Sequence, residues 1–257
     1  MNVKAKKHLG QHFLTDENIA KKIVEGLDFQ PYQYVLEVGP GTGVLTKYLL
    51  EKPTETYVAE IDTESIEYLK LHFQKLENKH FTGDFLKINL SDVFSGEVAV
   101  IGNFPYNISS QILFKIIENY PQIPEMVGMF QKEVAERTAA VPRTKDYGIL
   151  SVLVQAYYDV KYLFTVHENV FNPPPKVKSG VIKLTRNRKE GLEGNEILFK
   201  QIVKTGFGQR RKKLSNALKS LDIPEVLKSH AFMDKRAEEL SVEDFINFTQ
   251  EWKAAKN

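Results

Sequence analysis

Short apolar runs alternate with segments of helical period through most of this chain. Tyr34-Val35-Leu36-Glu37-Val38 reads as a buried strand and is followed at once by Gly39-Pro40-Gly41-Thr42-Gly43, after which a helix should start near Val44. Thr56–Ile61 predicts a second strand. Thr63–Glu77 predicts a helix with Ile66, Leu69 and Phe73 on one face and Thr63 as its N-cap. A short strand is expected around His80–Thr82, leading to Asp84. Val98–Gly102 and Met126–Phe130 read as two further strands, separated by a helix over Ser109–Asn119 and followed by another from Lys132. Strands that alternate with helices imply a parallel sheet covered on both faces.

The alternation then breaks. Val160–Val166 and Gly180–Thr185 both read as strands, with Pro173-Pro174-Pro175 between them and no room for a crossover helix. They should therefore be antiparallel neighbours. The expected fold class is α/β, a doubly wound Rossmann-like sheet with one antiparallel strand. Beyond a charged linker at Asn187–Asn195 the pattern is helical. Apolar stripes run through Phe199, Ile202 and Val203, through Leu214, Leu218 and Leu221, and through Val242, Phe245, Ile246 and Phe248. The expected division is a ligand-binding catalytic domain over residues 1–187 and a small C-terminal helical domain over 188–257.

Composition narrows the class. At 257 residues and 42% hydrophobic, the chain can bury a sizeable core. It has no cysteine, which excludes disulfides, cysteine-ligated zinc and a thiol nucleophile, and fits a reducing compartment. The basic Met1–Gly10 segment lacks the apolar core of a signal peptide, and no uncharged apolar run approaches the ~20 residues of a membrane helix. A soluble cytoplasmic protein is expected. His8 and His12 form a His-x-x-x-His pair without the Glu of a zinc-protease motif, so no metal site is expected. The net charge of +2 says little, but its distribution says more. Lys200–Leu221 holds seven Lys/Arg and Lys176–Lys189 six, with no Asp or Glu in either stretch. Such blocks suit a polyanion, although a solvated face is the plain alternative.

The Gly-x-Gly-x-Gly turn after the first strand lets backbone approach a ligand at the switch point of a doubly wound sheet, with Gly39 and Gly41 nearest to it. Glu60 ends the second strand, where a carboxylate can accept hydrogen bonds from ribose hydroxyls. Asp84 follows the third, where it can take an adenine amine or simply cap a turn. Two cofactors compete for such a site: a nicotinamide dinucleotide and S-adenosylmethionine. Asn103-Phe104-Pro105-Tyr106 after the fourth strand points to methyl transfer onto an aromatic amine. The lone pair of such an amine is delocalised into the ring. Acceptors at the Asn103 carboxamide oxygen and the Pro105 carbonyl can hold both N–H groups and free the lone pair, and proline preorganises the loop. Tyr106 can stack on a base that is unpaired or flipped out.

Taken together, Leu9-Gly10-Gln11-His12-Phe13-Leu14, Glu37–Gly43, Asn103–Ser109, Gln131-Lys132-Glu133-Val134, Phe171–Val177 and Phe207–Lys212 resemble the ribosomal RNA adenine N6,N6-dimethyltransferases. The small-subunit bacterial branch is the nearest match, and the resemblance covers nearly the whole chain. It implies S-adenosylmethionine as cofactor, with contacts at His12, Leu14, Gly39, Glu60, Asp84 and Asn103. It implies that Phe171 and Tyr106 sandwich the target adenine. It implies as substrate two adjacent adenines in the 3′-terminal hairpin loop of small-subunit rRNA, with the small ribosomal subunit as partner, no DNA or membrane partner, and a monomeric chain. Two positions depart: many members carry Asn at His12, and Leu or Ile at Phe104. Alternatives are a large-subunit adenine methyltransferase or a non-catalytic assembly factor. Lys204, Arg210, Arg211, Lys212 and Lys213 are the candidate RNA anchor, with Arg210 and Arg211 placed at the start of a helix through Leu214–Leu221 to meet a phosphate. The competing reading pairs these arginines with Glu238 or Glu239.

Overall fold

The computed structural model describes residues 3–256. Its contacts divide the chain into two compact units: the stretch through Glu136 with Val160–Arg186, and Arg137–Asp159 with the stretch from Asn187 on.

The first unit is built on a six-stranded sheet of order β3-β2-β4-β5-β8-β6. A two-residue strand, β1 (Phe13–Leu14), and helix α1 (Glu17–Val24) precede it. Asp16 caps α1, accepting from the backbone N–H of Asn18 and Ile19. Then follow β2 (Tyr34–Val38), the short α2 (Thr46–Leu49), β3 (Glu55–Ala59), α3 (Thr63–His72), α4 (Leu90–Val93), β4 (Val98–Asn103), α5 (Ser109–Glu118), β5 (Glu125–Gln131) and α6 (Lys132–Ala139). Strands β2, β4 and β5 are buried almost throughout. This is why they read as near-continuous apolar runs rather than alternating ones. Pairings β2–β3, β2–β4 and β4–β5 are parallel. The chain leaves β2 toward β3 on one side and returns on the other at β4, so the switch point lies beside the glycine turn.

Helix α7 (Ile149–Gln155), β6 (Tyr158–Val166), the two-residue β7 (Phe171–Asn172) and β8 (Ser179–Arg186) follow. As expected, β6 and β8 are sheet neighbours. The antiparallel pairing to the parallel part is made by β8 on β5, in the register Gln131↔Ser179 to Glu125↔Thr185.

Several local expectations are corrected. Asp62, not Thr63, caps α3 through its side chain. Helix α3 stops at His72 because Phe73 turns out of helical geometry at φ −124, ψ 79. The strand expected at His80–Thr82 is a 3-10 turn over Asn78–His80, and the pairing reduces to a single parallel bridge, Val58↔Phe81. Helix α2 begins at Thr46, after residues 41–45 have formed turns.

The second unit contains α7, α8 (Glu196–Gly208), α9 (Leu214–Ala217) and α10 (Val242–Ala254). Ser241 caps α10 by accepting from Asp244 N–H at 3.0 Å. Phe199, Phe207, Phe245, Phe248 and Trp252 are buried here. The sequence assigns residues 137–159 to the first domain, but their contacts lie in this unit. Tyr147 is buried and donates to the Leu240 carbonyl at 2.9 Å, and Arg143 N–H donates to the Glu238 carbonyl at 2.8 Å. The stripe Leu214, Leu218, Leu221 spans only one α-helical turn, since Leu218 already takes φ −90, ψ 5. Among the described residues no helix is long and apolar enough to cross a membrane.

Candidate active site

A cleft of about 150 Å³ opens at the C-terminal ends of β2, β3 and β4. Of the residues singled out in the sequence, His12, Gly39, Gly41, Glu60, Asp84, Asn103, Pro105 and Tyr106 line it. Its other wall is the N-terminal segment. Lys6 N–H donates to Gln11 Oε1 at 2.8 Å, and the Lys6 ammonium and Gln11 Nε2 both reach the buried Asp62 carboxylate. These bonds hold residues 8–13 along the cleft.

Glu60 is 6% exposed. Its carboxylate accepts from Ile61 N–H at 2.8 Å, Asp62 N–H at 2.9 Å and Gly41 N–H at 3.2 Å. Burial pushes its pKa above the usual carboxylate range, and the backbone donors oppose that shift. Behind it Glu37, wholly buried on β2, accepts from Thr46 Oγ1 at 2.6 Å, and burial pushes its carboxyl up to about 8. Asp84 combines both roles weighed for it. It holds its own turn, with Oδ1 accepting from Leu86 N–H at 3.0 Å, and it faces the cleft.

This lining decides between the two cofactors. Glu60 and Asp84 face the cleft and no Lys or Arg does so among the described residues. A dinucleotide's pyrophosphate would meet carboxylates. It would also find the Gly41 N–H already committed to Glu60. A cationic sulfonium with an uncharged nucleoside suits the same lining. A Cβ on Gly39 would meet nothing closer than Pro105 Cδ at 3.8 Å, so space remains in front of the glycine turn. The residues fit S-adenosylmethionine.

The Asn103–Tyr106 loop leaves the end of β4 on the same cleft. Asn103 Nδ2 donates to the His12 carbonyl at 2.8 Å, which fixes the carboxamide and leaves Oδ1 as the acceptor. The Pro105 carbonyl accepts one backbone bond, from Ile108 N–H at 3.3 Å, and keeps a second lone pair. Tyr106 Oη is hydrogen-bonded to Ser179 Oγ, and burial raises its phenol pKa. The His12 ring lies 5.5 Å from the Tyr106 ring at a 31° tilt, and its Nδ1 is 2.8 Å from the Pro173 carbonyl. Phe104 also belongs to the cleft lining, but it is almost wholly buried and its ring packs against Phe130, their centroids 4.8 Å apart.

Two expected contacts are not in the cleft. Leu14 and Phe171, 3% and 4% exposed, are opposite partners in the β1–β7 pair and belong to one core cluster with Ile23, Val35 and Val127. Successive side chains of a strand face opposite ways, so Phe13 faces the cleft and Leu14 the core. Phe171, which the resemblance assigns with Tyr106 to sandwich the target adenine, is thus a core side chain here. Phe13 and Ile61 were not singled out in the sequence. Ile61 lines the cleft beside Glu60 while 56% exposed. Its one available signal was an apolar residue directly after the acidic strand end.

In the second unit Lys204, Arg211, Lys212 and Lys213 are exposed. Lys213 pairs with Asp234 at 2.9 Å. Arg210 is engaged internally: its guanidinium binds the Glu238 carboxylate and the carbonyls of Lys145 and Thr144. It precedes α9 by a turn, with Lys213 as the N-cap, so neither Arg210 nor Arg211 starts that helix.

Sheet, acidic cleft and acceptor loop define an S-adenosylmethionine-dependent methyltransferase. The model of the family described as ribosomal RNA adenine dimethylase matches residues 2–254. Ribosomal RNA small subunit methyltransferase A of Flavobacterium johnsoniae is 59% identical over 98% of this chain and 97% of its own length. Its counterpart in Cytophaga hutchinsonii is 57% identical over 96% of each. Among solved structures, a dimethyladenosine transferase from Plasmodium falciparum superposes with a TM-score of 0.83 at 26% identity, covering 95% of this chain and 98% of that one. A 23S rRNA methyltransferase gives 0.68, also at 26% identity, covering 94% and 99%. The chain belongs to the ribosomal RNA adenine dimethylase family.

Proposed function

We propose that this enzyme transfers methyl groups to the N6 amines of two adjacent adenines in the 3′-terminal hairpin loop of small-subunit rRNA, giving N6,N6-dimethyladenines during ribosome assembly. Relatives at 57–59% identity named for the small subunit support that substrate over the large-subunit alternative. The observation that carries the chemistry is the Asn103 carboxamide, tied by its nitrogen to the His12 carbonyl with its oxygen left as an acceptor.

S-adenosylmethionine, when bound, supplies a methyl group made electrophilic by its sulfonium. Glu60, Asp84 and the glycine turn would hold it. Asn103 Oδ1 and the Pro105 carbonyl accept the two N–H groups of the target amine, which favours a tetrahedral nitrogen with its lone pair outside the ring. Because these acceptors are fixed before the base arrives, little reorganisation is needed at the moment of transfer. Tyr106 stacks on the flipped adenine. As the methyl leaves sulfur for N6, a neutral thioether would remain and the methylated amine would give up one proton to solvent; one N–H then remains, and one acceptor suffices for the second transfer. Exposed Lys204, Arg211, Lys212 and Lys213 supply sequence-independent charge for the RNA backbone.

The test is mass mapping of methyl groups on small subunits from cells with and without this protein. Two adjacent dimethyladenines present only with the protein are expected. An unchanged pattern would overturn the assignment.

A further inference from the structure

We propose that Ser179 is a positioning residue for methyl transfer. Its buried hydroxyl anchors the far end of the Tyr106 ring and ties that ring to the Pro173–Ser179 segment. The inference rests on the reading that Tyr106 receives the target adenine.

Tyr106 lies in a single 3-10 turn over Tyr106–Ile108, on the loop that leaves β4. Its main chain is held there by Ser109 Oγ, which donates to the Tyr106 carbonyl at 3.0 Å. That bond does not set the ring. The ring is set at its far end, where Tyr106 Oη meets Ser179 Oγ. Ser179 is 0% exposed and opens β8, with its main chain opposite Gln131 of β5. The hydroxyl is therefore anchored on the sheet rather than on a loop. Val181 and Ile182 follow it in the same strand, equally buried. An apolar residue would suit such a position, and a hydroxyl there needs a bonding partner to offset its desolvation. Tyr106 provides that partner.

A second contact reaches Tyr106 from the same segment. The His12 ring packs beside the Tyr106 ring and is itself held by the Pro173 carbonyl at 2.8 Å. Pro173 and Ser179 thus both constrain Tyr106, one through an imidazole and one directly. A stacking surface fixed in advance selects the flipped base without having to order a side chain at that moment. Removing the hydroxyl frees the ring while leaving its stacking area intact.

The experiment uses the full chain, saturating S-adenosylmethionine and saturating unmethylated small subunits, in single turnover. Ser179→Ala, Tyr106→Phe and the double variant are compared with wild type. Each single variant is expected to slow methylation about tenfold, as for a reacting group held slightly out of place. Cofactor affinity by calorimetry should stay unchanged. The double variant should be no slower than the slower single, because both remove one bond. A wild-type rate for Ser179→Ala with an active wild type overturns this inference alone, as do losses that multiply in the double variant. If Ser179→Ala fails to fold, Tyr106→Phe carries the test, and a wild-type rate for it overturns the inference. A wild-type chain that does not methylate small subunits would overturn the functional reading and this inference with it.

Discussion

Gly128→Ala should damage the active site from behind the sheet. Gly128 sits in the middle of β5 opposite Gly102 of β4. A Cβ built there would lie 2.8 Å from Phe104 Cδ2 and closer still to Cε2, where ordinary contact begins at 3.4 Å. The ring would have to retreat by roughly 1 Å to restore van der Waals separation. It has little room to do so. A Cβ on Gly102 would already lie 2.9 Å from Phe104 Cε1, and the Phe130 ring lies alongside. Phe104 N–H also donates to the Met129 carbonyl at 3.1 Å. The displacement must therefore pass to the covalent neighbours Asn103 and Pro105, the two acceptors. Overpacking of this kind costs ~1–3 kcal/mol, and a shift of ~1 Å in a reacting geometry costs on the order of 10²-fold in rate. Thermal denaturation should fall by a few degrees, and single-turnover methylation should fall far more than that loss of stability explains. Adding Phe104→Leu to Gly128→Ala removes the clash and should restore much of the rate. A Gly128→Ala enzyme with wild-type melting and wild-type rate would refute the idea that this glycine makes room for Phe104.

Asn103→Ala should lower the single-turnover rate by ~10²–10³, the usual cost of one preorganised polar contact, while S-adenosylmethionine binding stays measurable by calorimetry; a rate within about threefold of wild type would remove Asn103 from the mechanism. Glu37 titrates above its ordinary value when folded, up to about 8. Between its unfolded pKa and about 8 the folded state holds a proton that the unfolded state has lost, so its contribution to stability declines as pH rises through that window. In the absence of cofactor, melting temperature should fall less from about pH 5 to 8 in Glu37→Gln than in wild type, and parallel curves would contradict the assignment. Arg210→Ala should cost about 1–2 kcal/mol of stability by stranding Glu238 and leave the salt dependence of subunit binding intact. Arg211→Ala with Lys212→Ala should flatten that dependence without lowering the melting temperature, and a reversal of the two patterns would exchange their roles.

What the sequence displayed and what it hid have a common physical basis. Strands β2, β4 and β5 were legible because burial on both faces writes an apolar run that needs no partner to be seen. Gly39, Gly41, Glu60 and the Asn103–Tyr106 loop were legible because each is a local motif at a strand end. Residues 80–82 were not, because one bridge to Val58 leaves no periodicity to read. Strands β1 and β7 are two residues each, too short to show which of Phe13 and Leu14 turns inward, so the resemblance alone carried Leu14 and Phe171 into the site. Arg210 was legible only as one of two readings: the pairing with Glu238 or Glu239 stood beside the phosphate contact, and the structure takes Glu238, 28 residues along the chain.

The pairs that hold the site in shape join features that look unremarkable apart. Phe104 stands where the resemblance expects Leu or Ile. Gly128 interrupts an apolar strand, which marks a close approach of something unnamed. Ser179 is a small polar residue at a strand start, with no local reason to be there. Each is weak evidence alone. Phe104 fills the space of the missing Cβ at Gly128, and Ser179 meets the phenol of Tyr106. Pro105 lies between those two contacts and Asn103 directly precedes the first, so the acceptor loop is held by a packing constraint at Phe104 and a hydrogen bond at Tyr106. If that is how the loop is held, variants at Gly128 and Ser179 should damage catalysis more than cofactor binding, although neither residue lines the cleft.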